Sequence, residues 1–68
     1  MIEKVRKNII SLMGKKIKFR YNGSRNQIEE FDGVIINCYN YVFVINVGSM
    51  NRSFSYSDVL IGVLDVNI

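Results

Sequence analysis

Residues 15–23 read Lys15-Lys16-Ile17-Lys18-Phe19-Arg20-Tyr21-Asn22-Gly23, and their alternation decides the fold. Ile17, Phe19 and Tyr21 fall on one parity; Lys16, Lys18 and Arg20 fall on the other. Successive side chains of a strand point to opposite faces, so Lys15–Tyr21 reads as a half-buried strand with a wholly basic wet face. Asn22-Gly23 predicts a two-residue type I′ turn after it, because both central positions of that turn need positive φ. The partner strand follows. Arg25–Tyr39 is longer than an ordinary strand and carries Gly33 inside it, where glycine marks a bend, a bulge or a close backbone approach. Apolar residues lie on both parities beyond Gly33 (Val34 and Ile36, but also Ile35), so its two halves are expected to serve different faces.

The pattern continues in both directions from that hairpin. Tyr41–Val47 is the most apolar strand, and its large residues on both parities call for cover on the second face, from a helix or a second subunit. Gly48–Asn51 is a short hairpin loop. Arg52–Ser57 alternates again, with Phe54 and Tyr56 inward. Ser57-Asp58-Val59-Leu60 reads as one helical turn capped by Ser57 or Asp58. Gly62–Ile68 closes the order, with Leu64, Val66 and Ile68 on one face. Upstream, Ile2, Val5, Ile9, Leu12 and Met13 recur at helical spacing, so residues 2–13 predict an amphipathic helix stopped by Gly14. A helix of about three turns is marginal alone and must dock its apolar stripe.

A helix followed by five short strands gives a mainly β protein. Five curved strands in about 55 residues satisfy their edges best by rolling up. The expectation is a small five-stranded SH3-like or Sm-like barrel over residues 15–68, with the helix over its open end. A length of 68 residues fits a single domain, 1–68. A core this small gains most from extra burial against a second copy, so a homodimer is favoured.

Composition narrows the chemistry. The chain has no His and one Cys, which removes Ser/His and Cys/His pairs, an internal disulfide and a Cys-cluster zinc site. No enzyme activity and no cofactor are expected. No apolar run approaches the ~18–20 residues of a membrane span, Met1–Met13 lacks a secretory apolar core, and a lone Cys suits a reducing cytoplasm. Charge is lopsided. Residues 1–25 hold eight basic residues against Glu3, while residues 26–68 hold Arg52 against five acids. Such asymmetry points to a polyanion or an acidic protein partner.

The chain resembles the Veg family of small cytosolic proteins from low-GC Gram-positive bacteria. The resemblance rests on Gly14-Lys15-Lys16, Gly23-Ser24-Arg25, Gly33, Tyr39, Val42-Phe43-Val44-Ile45 and above all Phe54-Ser55-Tyr56-Ser57-Asp58-Val59-Leu60. It implies an SH3/Sm-like barrel and a regulatory, non-enzymatic role in transcription and biofilm formation, through a protein partner that would be a biofilm repressor. A second resemblance is to Hfq-type Sm proteins, which also place a helix before bent strands. It is carried by Phe31-Asp32-Gly33-Val34-Ile35 through Tyr41-Val42-Phe43-Val44-Ile45. Tyr56-Ser57-Asp58 falls where Hfq has a Tyr-Lys-His stretch for RNA, and only the tyrosine matches.

The leading candidate contact surface is Lys16, Lys18 and Arg20, with Lys4, Lys7 and Arg25 nearby. Alternate strand positions lie about 6.6–7 Å apart, close to phosphate spacing along one nucleic-acid strand. The plainer alternative, and the favoured one, is a solvated sheet face. Tyr39 and Tyr41, flanking Asn40 in a tight turn, have the chemistry to stack on bases. Their favoured reading is a buried ring with a wet hydroxyl. Tyr21 and Tyr56 share parity with Phe19 and Phe54 and are assigned to the core. Gly14, Gly23, Gly33 and Asp58 are assigned structural roles. Glu30 and Asp32 share a parity and Glu29 does not, so pairing with Lys or Arg across the hairpin is favoured over a metal site. Cys38 reads as a small buried hydrophobe.

Overall fold

The computed structural model describes residues 2–23 and 27–67, and the expected order of elements is present there. They are α1 (Ile2–Ser11), β1 (Lys16–Asn22), β2 (Ile28–Cys38), β3 (Val42–Val47), β4 (Met50–Ser55), α2 (Tyr56–Leu60) and β5 (Leu64–Val66). All five strands form one antiparallel sheet in the order β4-β3-β2-β1-β5. The sheet is open: no ladder joins β4 to β5 among the described residues, so the closed-barrel expectation is corrected. The chain crosses from one edge to the other through α2 instead.

The sheet still curls hard. The Tyr21 ring on β1 lies 5.8 Å from the Phe54 ring on β4, although β2 and β3 run between them. In a flat sheet those positions would be about 14 Å apart at the usual strand spacing. Phe31 bridges the two sides, 5.4 Å from Phe19 and 6.2 Å from Phe54. Ile9, Phe19, Ile35, Phe43, Ile45, Phe54, Tyr56 and Leu64 make up the buried core.

β1 alternates as its sequence requires: Phe19 is buried, while Ile17 and Tyr21 pack against the core. The turn after it differs from expectation. Asn22 is paired with Ile28, so five residues rather than two separate the strands. Gly23 is not in the positive-φ region, and its N–H donates to the Gln27 carbonyl at 2.7 Å. Phe19 opposite Phe31 sets the register, and that core pairing overrides the local turn preference. A two-residue turn occurs elsewhere, at Gly48-Ser49 between the paired Val47 and Met50, with Gly48 at φ 65°.

In β2 the change of parity lies beyond Gly33. Phe31, Gly33 and Ile35 keep one parity, and a bulge between Ile35 and Asn37 inserts Ile36 before Cys38 turns inward. Apolar residues on both parities reflect that bulge, not two halves serving different faces. Gly33 has its own reason: a Cβ there would lie 2.5 Å from Ile45 Cγ2 and 3.0 Å from the Asn46 carbonyl oxygen.

Helix α1 ends near its predicted stop, with Gly14 at φ 81°. The Gly14 N–H donates to the Ile35 carbonyl at 3.1 Å and ties the helix end to β2. The helix lies against β2 and α2 rather than plugging the mouth of a cylinder. Ile9 is buried and Val5 and Leu12 pack on the core, while Ile2 and Met13 stay exposed on its flanks. The cap of α2 is also shifted. Its N-cap is Ser55, not Ser57: the Asp58 N–H donates to Ser55 Oγ at 3.1 Å, and the Ser55 N–H donates to Asp58 Oδ2 at 3.2 Å. This reciprocal capping box keeps Asp58 structural. Ile68 and Arg25 lie outside the described residues. No helix among the described residues is long and apolar enough to cross a membrane.

Candidate functional site

The outer face of β1 carries Lys16, Lys18 and Arg20, as the alternation requires. Folding brings acids to it from both sides. Lys18 is opposite Asp32 and Arg20 is opposite Glu30 on β2, while Asp65 on β5 pairs with Arg20 from the other edge. The Arg20 guanidinium donates through Nε and Nη2 to Glu30 Oε2, at 3.2 and 3.1 Å. Both side chains are more than 40% exposed, so the pair contributes on the order of 0–1 kcal/mol. Asp65 accepts a hydrogen bond from Asn22 Nδ2 at 3.3 Å. Lys16 faces Val34 across the ladder and remains exposed. The strand read as a basic stripe is therefore one row of a mixed-charge face. The expected pairing across the hairpin is present, and Glu29 points to the other face as its parity requires.

Glu29 meets Arg52, whose Nη1 lies 3.2 Å from Glu29 Oε2. The Arg52 guanidinium carbon sits 4.7 Å from the Phe31 ring centroid, 5.2 Å from Phe54 and 5.8 Å from Tyr21. It fills the space where the curled sheet does not close, a position in which cation–π attraction helps hold the two sides together. From the sequence, Arg52 is counted only as a charge and has no site role. The available signal was its parity, shared with Phe54 and Tyr56.

A second surface forms at the β2–β3 turn. Tyr39, Asn40 and Tyr41 make that turn, and the Tyr39 N–H donates to the Val42 carbonyl at 2.8 Å. Tyr56 fixes it from inside. Its hydroxyl donates to the Tyr39 carbonyl at 2.7 Å and its N–H donates to the Tyr41 carbonyl at 3.2 Å. Because the fully buried Tyr56 fills the space beneath the turn, the rings of Tyr39 and Tyr41 are left outside, 54% and 77% exposed. The expectation that these two rings are buried is corrected. Tyr21 and Tyr56 are core residues, as expected.

Beside the turn lie Arg6, Cys38 and Tyr56. Burial pushes the Cys38 thiol up from its ordinary value, against the pull of Tyr56 and Arg6. Burial also pushes the Tyr56 hydroxyl up, with Cys38 adding to the rise and Arg6, through its charge and a side-chain hydrogen bond, pulling the other way. Cys38 is thus a neutral thiol at neutral pH, half-buried against the core. Arg6 is half-buried, and its Nε is buried without an acceptor. The other cations of α1, Lys4 and Lys7, are exposed. Among the described residues neither they nor Arg6 makes an ion pair within 4 Å. An open groove lined by Lys4, Val5, Asn8 and Leu60 lies between α1 and α2.

The structure brings the candidate residues together as two groups, not one. Lys16, Lys18 and Arg20 share the outer sheet face with acids. Tyr39 and Tyr41 stand exposed on the β2–β3 turn, apart from that face. No cluster of three metal-ligating side chains occurs among the described residues.

A family model described as the biofilm formation stimulator VEG matches residues 1–67 of this chain. No curated protein matches it.

Proposed function

The chain belongs to the Veg family, and from that premise we propose that it acts without catalysis, as a cytoplasmic regulator of transcription and biofilm formation that works by contact with a protein. A biofilm-related role goes with the family; contact is the mechanism that suits this chain. The observation that carries it is the 39–41 turn. Two aromatic rings are held in water on a backbone pinned by a buried tyrosine. Rigid exposed tyrosines offer large contact area at low entropic cost, which is why Tyr and Arg dominate binding hot spots. A transcriptional repressor is the partner that the family resemblance suggests.

The competing reading is nucleic-acid binding through Lys16, Lys18 and Arg20. Glu30, Asp32 and Asp65 stand among those cations, and each would repel phosphate. A homodimer is the third reading. It is favoured by the uncovered β4 edge, which carries neither Pro nor Lys among Met50–Ser55.

Co-purification from native lysate, with and without nuclease, tests the proposal alongside transcript profiles of cells with and without the gene. The expected result is a co-purifying protein that survives nuclease and is lost with Tyr39→Ala/Tyr41→Ala. Retention only before nuclease overturns the protein-contact reading in favour of nucleic acid.

A further inference from the structure

The two edges of the sheet are finished differently. β5 is three residues long, and the Val63 N–H just before it donates to the Asp58 carbonyl of α2 at 2.9 Å. So short an edge strand offers little to pair with. β4 runs six residues, Met50–Ser55, and among the described residues no strand lies beyond it. It carries none of the usual protection: no proline, no lysine and no bulge in its ladder with β3.

The hydrogen bonds show which backbone groups of β4 face outward. The Tyr56 N–H donates to the Tyr41 carbonyl at 3.2 Å, so Phe54, Arg52 and Met50, on the same parity, address β3. Ser55 is turned the other way, and its N–H leaves the ladder for Asp58 Oδ2 at 3.2 Å. Residues of an antiparallel strand alternate in this manner, so the N–H and C=O groups of Asn51 and Ser53 point off the free edge. Both residues are exposed, and among the described residues no turn or loop bond takes up their N–H groups.

We infer that this edge pairs with β4 of a second copy of the chain, antiparallel about a two-fold axis, so that the two sheets join into one. Charge selects the occupant. The chain carries a net charge of +3, and an isologous contact sets each surface against itself. On the outer parity of β4, Asn51, Ser53 and Ser55 bear no charge, and each side chain both donates and accepts hydrogen bonds, so the strand suits its own image. The one charge of β4, Arg52, is turned inward to Glu29 and three rings. A core this small is also the kind that oligomerisation stabilises. The inference rests on the homodimer reading above, to which it adds the seam, and it is independent of the contact at 39–41.

The test combines sedimentation of the full chain at low and high concentration with amide hydrogen exchange under the same conditions. The expected result is a monomer–dimer equilibrium in which the amides of Asn51 and Ser53 slow as the dimer forms, while those of β5 do not. Asn51→Lys/Ser53→Lys, changed at two exposed side chains, should melt as the wild type does. Its dimer should weaken roughly tenfold or more, because lysines then face each other across the seam. A wild-type chain that stays monomeric at every concentration overturns the inference and the dimer reading together. A dimer that survives the two lysines, or one in which Asn51 and Ser53 exchange as freely as in the monomer, overturns the seam and leaves the dimer reading standing.

Discussion

The outer face of β1 and the 39–41 turn both hold residues with binding chemistry, cations on one and tyrosines on the other, and folding treats them in opposite ways. On β1, the antiparallel register sets Asp32 and Glu30 opposite Lys18 and Arg20, and β5 adds Asp65. A sequence surplus of positive charge becomes a balanced lattice. At the turn, two aromatic rings stand in solvent over a backbone held by the buried Tyr56. Charge counted along the chain thus misplaces the interesting surface. What matters is which acids the ladder brings beside which bases. The contrast can be broken or sharpened by substitutions that act on one region at a time.

The largest effect is expected at Gly33, on the strand that runs from the β1 face to the turn. A Cβ there would collide with Ile45 Cγ2, and overpacking of this kind costs about 1–3 kcal/mol. Gly33→Ala should lower the thermal midpoint and disturb both regions together, as seen in amide shifts at 16–20 and 39–41. Normal stability would mean that β2 and β3 adjust freely.

Next is Tyr56→Phe, which removes the hydrogen bond to the Tyr39 carbonyl and should cost about 1 kcal/mol. Only the turn should respond, with faster hydrogen exchange over 39–42 and unchanged protection on β1. The same variant sharpens a pH test. Burial lifts the pKa of Cys38 and of Tyr56 above their ordinary values of 9.0 and 10.0. The folded state then holds those protons when the unfolded chain has released them. Stability from this source is complete below the ordinary values and is lost as pH rises through the folded ones. Wild-type melting temperature should fall more steeply above pH 9 than that of Cys38→Ala or Tyr56→Phe.

Asp58→Ala opens the capping box of α2, the helix that begins at Tyr56. A cost of about 1 kcal/mol is expected, with the turn loosened indirectly. An unchanged melting curve would remove Asp58 from its structural role. The smallest effect is expected from Arg20→Gln. Its ion pair is exposed, so stability should change by less than about 1 kcal/mol, with that small difference fading as salt is added.

Much of this was legible in the sequence where burial is one-sided. The 15–21 alternation, the 2–13 stripe ended by Gly14, and the opposite parities of Glu29 and Glu30 all follow from period alone. The rest depended on contacts between distant residues. Asn22-Gly23 makes no two-residue turn because Phe19 and Phe31 set the register. The bulge at Ile36 is invisible to a reading that counts parity through it. Closure was overestimated because α2 spans the edges and Arg52 fills the gap that a ladder would have closed. Tyr39 and Tyr41 were placed inside because nothing local revealed that Tyr56 occupies that space.

The most direct measurement compares the two surfaces in cells that form biofilms and lack their own copy of the gene. One complementing variant carries Tyr39→Ala/Tyr41→Ala and the other Lys16→Gln/Lys18→Gln, both checked for wild-type melting. The turn should be required and the strand face dispensable: the tyrosine variant fails to restore biofilm mass, and the lysine variant restores it. The opposite pattern, full restoration without the tyrosines and none without the lysines, would contradict the assignment and return the contact to β1.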